Sequence, residues 1–270
     1  LMSLLSLLAL LALSTATPAP AALPEVPLDM SPDSFDDRYR GCARAMAEAL
    51  PALNCSEWAL GGHYPAGWAL AAAEWRVRSP PRSPPTLPPA QAIALLAYTA
   101  PLPLHRDFNE ASRAAGRSHR WYRERFPFKV LHFLLTQALG TLRAARGPRC
   151  LRVSRGVRGV RFVTRPGQTV RFGHFASASR RNESARAFGT DSVFAVETCE
   201  GAAISDFSFF PDEDEVLIPP FETFEVTAVT PGAGAGAGAG VRIELRSTGT
   251  LSNYNCEWVR GDGTGGHGGD

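Results

Sequence analysis

Beyond its first thirty residues, the chain places its apolar positions every three or four residues through most of its first half. Cys42, Met46, Ala49 and Leu50 form one such stripe, with Ser34 read as the cap of a helix starting near Phe35. Trp58, Trp68 and Trp75 mark a second, alanine-rich apolar stretch. Residues 79–89 (SPPRSPPTLPP) are read as an exposed loop, because proline cannot occupy a helix interior. Helical spacing returns over residues 90–99, 106–116 and 128–142, the last carrying Val130, Leu131, Leu134, Leu135, Ala138 and Leu139. After Cys150 the period falls to two. Short alternating runs at 151–153, 168–172, 192–199, 216–218, 224–229, 241–245 and 253–259 predict strands separated by Gly/Pro turns. The run GAGAGAGAG at 232–240 reads as a flexible hairpin loop. Helices followed by strands argue for an α+β domain over 31–258, helical over 33–145 and strand-rich over 150–258, with both halves sharing one core.

Composition narrows the class. With 44% hydrophobic residues in 270, the chain is neither disordered nor collagenous. A net charge of +2 provides no general field for nucleic acid or an anionic membrane, so neither is an expected partner. The Leu/Ala run at 4–13, followed by Ser14-Thr15-Ala16, is expected to be a signal peptide over 1–16. It lacks basic residues in front, and the start Leu1-Met2 points to a truncated or displaced beginning. A Pro/Ala-rich segment at 17–30, unstructured as far as residue 27, and a Gly-rich tail at 259–270 flank the domain. Five cysteines without a CxxC pair predict two disulfides and one odd thiol rather than a structural zinc site. Sequons at Asn54 and Asn182 suit the same secretory, extracellular reading. The six histidines lack metal-binding spacing, so no metal is expected, and His132 reads as a core histidine. Arg260-Gly261-Asp262 is a chance-level match to an integrin tripeptide.

Three segments could carry chemistry. Asp212-Glu213-Asp214-Glu215 precedes the apolar run Val216-Leu217-Ile218. If Glu213 and Glu215 enter that strand, both carboxylates share one face and titrate as a coupled pair; otherwise the run is a solvated acidic turn. Arg155-Gly156 offers a planar cation suited to a pyrophosphate beside a backbone open to close approach, or else a surface hairpin. In Phe175-Ala176-Ser177-Ala178-Ser179 an extended chain points both serines to one side, to orient a ligand or to form a polar strand face.

In this order the three segments resemble the Arg–Ser–Glu-x-Glu signature of the arginine-specific vertebrate ecto-ADP-ribosyltransferases. Ser34-Phe35-Asp36-Asp37, residues 94–99 (ALLAYT), 131–136 (LHFLLT) and Tyr254-Asn255-Cys256-Glu257 resemble the same family, extending the likeness to roughly 30–258. The resemblance implies a helical part packed on a split mixed β-sheet core with an NAD cleft. It implies that Arg155 binds the NAD phosphates, Gly156 lets NAD approach the backbone, Ser177 positions Glu215, Glu215 is the catalytic carboxylate and Glu213 receives the acceptor arginine. Phe210, in the aromatic stretch 204–211, is the expected acceptor contact, whereas Phe207 and Phe209 read equally as core residues. Cys42–Cys256 would tie the first helix to the last strand and Cys150–Cys199 would brace the cleft strands, leaving Cys55 unpaired, as a buried thiol or as a crosslink to a partner. The implied activity moves ADP-ribose from NAD, or NADP, to arginine on extracellular proteins. NAD is then a co-substrate, with no permanently bound cofactor, and a membrane enters only through a lipid anchor. The rivals are an NAD glycohydrolase and a non-catalytic binding protein of the same fold.

Overall fold

A computed structural model describes residues 23–78, 87–232 and 240–260. After a short strand β1 (Glu25–Pro27) come the helices α1 (Ala43–Ala59), α2 (His63–Val77), α3 (Pro89–Thr99), α4 (Leu104–Ala115), α5 (His119–Arg125) and α6 (Lys129–Arg146). The second half holds β2 (Leu151–Val157), β3 (Arg161–Val163), β4 (Thr169–Val170), β5 (Ala176–Ser179), α7 (Asn182–Phe188), β6 (Ser192–Thr198) and β7 (Ala202–Ala203). It closes with β8 (Glu215–Ile218), β9 (Glu222–Pro231), β10 (Val241–Thr250) and α8 (Glu257–Arg260). The expected α+β order is present.

Eight of the described strands form one mixed sheet in the order β4-β9-β10-β6-β2-β5-β8-β7. Its pairs are antiparallel except for β10 with β6. Strand β2 meets β5 at a single residue pair, Ser154 with Ser179, so the sheet divides there. This split opens the ground on which a cleft can form. Strands β5 and β8 are covered on both faces: Phe175 and Leu217 join the helical core, whereas Ala176, Val216 and Ile218 join the apolar layer of the sheet. The expected single core is therefore two layers, with β5 and β8 between them.

Several expectations are corrected. Residues 34–40 are not helical, and α1 starts after Cys42. Ser34 is buried, and the side chains of Asp36 and Asp37 turn to backbone far along the chain. Asp36 accepts from the N–H groups of Asn253 and Tyr254 and is paired with buried Arg171; Asp37 accepts from Cys256 and Glu257. These bonds hold 252–257 as an irregular segment, and Glu257 opens α8, so the strand expected at 253–259 does not form. Residues 25–27 are not unstructured, since β1 pairs in parallel with β3. Pro89 opens α3 rather than ending a loop, while 79–86 lie outside the described residues. The 232–240 run joins the antiparallel pair β9 and β10 as expected, but 233–239 are likewise outside.

Both disulfides form with the expected partners. Cys42–Cys256 ties α1 to the segment before α8, not to a last strand, and Cys150–Cys199 joins the residues flanking the neighbouring strands β2 and β6. Cys55 is an exposed thiol on α1 rather than a buried one. The leader at 1–16 and residues 261–270 lie outside the described residues.

Candidate active site

Glu215 is the first residue of β8 and lies opposite Ser179 of β5. Its carboxyl is only 6% exposed, and Ser208 Oγ donates to it at 3.3 Å. Burial pushes its pKa up to about 7; the Glu213 charge adds to the rise, while Ser177, Ser208 and Arg155 oppose it. Glu213 ends a 3-10 turn, Pro211–Glu213, and Asp214 follows at φ 50°. The two glutamates therefore do not share a strand face. A left-handed residue turns the chain between them, with Arg180 Nε bonded to the Asp214 carboxylate at 3.0 Å. Ser179 Oγ fixes the turn from below by donating to the Glu213 carbonyl at 2.5 Å. Partial burial raises the Glu213 carboxyl as well.

Arg155 is inside β2, not on a surface hairpin, and its Nη1 donates to the Ser177 carbonyl at 2.5 Å. The Ser177 side chain faces Glu215 and Tyr98 and holds both groups' pKa values down. Tyr98, from α3, donates to the Phe175 carbonyl at 2.9 Å and so locks α3 to β5. Arg155, Ser177, Glu213 and Glu215 are thus brought together from three strands and one turn. Gly156 is needed by the fold itself: a Cβ there would meet the carbonyl oxygens of Ala185 and Gly189 at 2.2 Å. The glycine makes room for the protein's own backbone, where α7 packs on β2.

Ser177, Glu213 and Glu215 line a cleft of about 430 Å³, walled by residues 98–103 with His105 and Arg106. Phe210 lines it and is 42% exposed, as does Phe188 at 51%. Phe207 is a core residue, and Phe209 packs against the core beneath Arg78. Residues not anticipated include Tyr98, His105, Arg106 and Phe188 of the cleft lining and the buried Ser208 behind Glu215. Tyr98 sits in the apolar pattern of α3, so its hydroxyl gave no separate signal. Among the described residues, no three His, Cys, Asp or Glu side chains converge as a metal site. His132 is a core histidine, held neutral with a pKa near 3 by burial. Asn182 is exposed, with Ser154 Oγ donating to its side chain at 2.7 Å, and Asn54 accepts from Tyr64 OH at 2.8 Å.

Comparison with known proteins decides the family. The family model for NAD:arginine ADP-ribosyltransferase matches residues 28–253. The chain belongs to that family. Within it, the chain is 51% identical over 252 residues to the rabbit GPI-linked NAD(P)(+)–arginine ADP-ribosyltransferase 1, covering 87% of this chain and 75% of that one. The human protein of the same name is 49% identical over 250 residues, with the same coverage. The crystal structure of the eukaryotic mono-ADP-ribosyltransferase ART2.2 superposes with a TM-score of 0.72 at 32% identity, over 86% of this chain and 99% of that one. A variant of ART2.2 has been solved in complex with NAD. An ADP-ribosyltransferase fold therefore surrounds the cleft.

Proposed function

We propose that the protein transfers ADP-ribose from NAD to arginine side chains of other proteins and releases nicotinamide. The observation that carries this reading is the buried Glu215 carboxyl at the cleft, with Ser177, Arg155 and a second carboxyl, Glu213, around it. Breaking the nicotinamide–ribose bond sends its electron pair to nicotinamide and leaves an oxocarbenium-like ribose. Glu215 stabilises that positive charge from a position fixed before reaction, where preorganised charge contributes most. Ser177 orients the carboxylate, and Arg155 holds the pyrophosphate. Glu213, half-exposed on its turn, receives the acceptor guanidinium and takes its proton as the nitrogen attacks the ribose. Phe210 stacks on the incoming guanidinium at the cleft mouth. The relatives' names carry NAD(P), and the phosphorylated dinucleotide is the second co-substrate to test. Their GPI-linked and ecto- designations support a cell-surface or secreted place for this chain, with arginine-bearing surface proteins as targets.

The test follows labelled ADP-ribose from NAD to a small guanidino acceptor, with free ADP-ribose measured in parallel. Glu215→Gln is expected to lose both products by ~100-fold or more, as when a preorganised stabiliser is removed. Glu213→Gln is expected to lose transfer and keep hydrolysis. Equal loss of both activities in Glu213→Gln would overturn the division of roles. Free ADP-ribose as the wild type's sole product would make it a glycohydrolase. No NAD turnover by the correctly disulfide-bonded protein would leave a non-catalytic binding protein.

A further inference from the structure

A second groove, of about 490 Å³, shares no lining residue with the catalytic cleft. It is formed by the C-terminal half of α6, residues ahead of α1, Glu200, and Phe221 just before β9. Three arginines line it against a single carboxylate, Glu200. Arg143 is paired with that carboxylate at 2.9 Å and donates to the Cys199 carbonyl at 3.0 Å. Arg38 lies 4.7 Å over the Phe221 ring and donates to Thr250 Oγ1 at 2.5 Å. Arg40 is exposed, and Asn255 bonds both its N–H and its carbonyl, which fixes its backbone. Neither Arg38 nor Arg40 forms an ion pair among the described residues. Burial first, then the Arg40 charge, lowers the Arg38 pKa, with Glu200 opposing and Arg143 adding. The groove thus holds a local positive charge that the chain's net +2 does not reveal.

The helical wall of the groove carries a residue that the fold does not require. Gly140, inside α6, is exposed there, and a Cβ on it would meet nothing within 4 Å. Glycine is the poorest helix former after proline, so this one weakens α6 without making room for any described neighbour. It leaves the backbone open to something from outside. Beside it, Thr141 Oγ1 donates to the Gln137 carbonyl at 3.1 Å, which leaves its lone pairs free to accept. The Gln137 side chain lines the same wall. Guanidinium forks fit tetrahedral oxyanions, and hydroxyl and amide groups fit sugar hydroxyls. We propose that this groove binds a sulfated glycan, its sulfates on Arg38 and Arg40 and a sugar ring against Gly140. The extracellular place proposed above decides the class, because acidic polysaccharides there carry sulfate; the proposal rests on that place and not on catalysis. Such binding would hold the protein on surface or matrix glycans with its cleft free.

The experiment titrates the disulfide-bonded full chain by calorimetry with a heparin-derived oligosaccharide, its desulfated form and a phosphoserine peptide. Wild type is compared with Arg40→Ser, Gly140→Leu and Arg76→Ser, the last removing an exposed charge from α2 outside the groove. The wild type is expected to bind the sulfated sugar and not the desulfated one. Arg40→Ser is expected to weaken it about tenfold, as loss of a charge-assisted bond does. Gly140→Leu fills the groove and is expected to lose about tenfold or more, while keeping or raising the melting temperature, since leucine favours a helix and has open space. Arg76→Ser is expected to bind as wild type does. Equal weakening by Arg76→Ser would reduce the effect to general charge and overturn the site. Binding untouched by Gly140→Leu, or no preference for the sulfated sugar over the desulfated one, would overturn it too, as would a wild type that prefers the phosphopeptide. NAD turnover is measured alongside and is expected to be unchanged in every variant; its absence from the wild type would remove the proposed activity and leave this result standing.

Discussion

Glu215 sits where its charged form is least stable, and that has a sign that can be measured. Its folded pKa, about 7, lies above the ordinary 4.5, so the folded chain retains a proton that the unfolded chain has already lost. Stability is intact below the ordinary value and declines as pH rises towards the folded one. Glu215→Gln should therefore be more stable than wild type at pH 8, by up to about 3 kcal/mol for a shift of this size, with the difference closing near pH 4. Thermal unfolding at the two pH values checks this. Activity runs the opposite way, because only the carboxylate stabilises a cation. The kcat/KM for NAD is expected to rise with pH and level off above about 7, an inflection that Glu213→Gln should move downward by removing a neighbouring charge. The spacing of this pair is legible in the sequence. The turn between the glutamates is not, because the left-handed Asp214 depends on Arg180 and Ser179 from another strand.

Among the elements, α6 is the most legible, since its apolar face persists over several turns, from Val130 to Leu142. How it begins is not legible. Glu57 of α1 reaches across, its carboxylate accepting from the N–H groups of Lys129 at 2.5 Å and Val130 at 3.2 Å. A carboxylate at a helix N-terminus satisfies two orphan donors and opposes the positive end of the dipole. Lys129 Nζ is turned to the Phe126 carbonyl beside it, and burial pushes the Glu57 carboxyl up. Glu57→Ala is expected to lose about 2 to 3 kcal/mol in urea unfolding, the order of leaving two buried N–H donors unsatisfied, and Glu57→Gln distinctly less. A buried glutamate on a surface-patterned helix carries no local mark of such a partner. Polar residues of α4 carry no such mark either: His105 lines the cleft, and Asn109 donates to the Tyr98 hydroxyl of α3. Arg155, Ser177 and the glutamates stood out in the sequence through their joint order, since each segment alone fits an ordinary strand or turn.

At the scale of the molecule, the early and late segments of the described domain are fastened to each other. Cys42–Cys256 spans a separation of 214 residues, and Asp36 and Asp37 bind the backbone of 253–257 beside it. In the chain-entropy model, opening this bridge by Cys42→Ala with Cys256→Ala costs about 5 kcal/mol, against about 4 for the Cys150–Cys199 bridge. Urea midpoints of the two double variants give the order.

That fastening also sets a timetable. During synthesis, Cys42 has no disulfide partner from the finished fold until Cys256 has emerged, after the whole sheet. Cys42 therefore spends nearly the entire translation reduced or mispaired, and the nearest thiol along the chain is Cys55. In the finished protein, α1 separates the two by a length of roughly 20 Å, too far for a bridge. In the nascent chain nothing separates them. The exposed thiol that takes no part in the final fold is thus the first competitor for its longest crosslink.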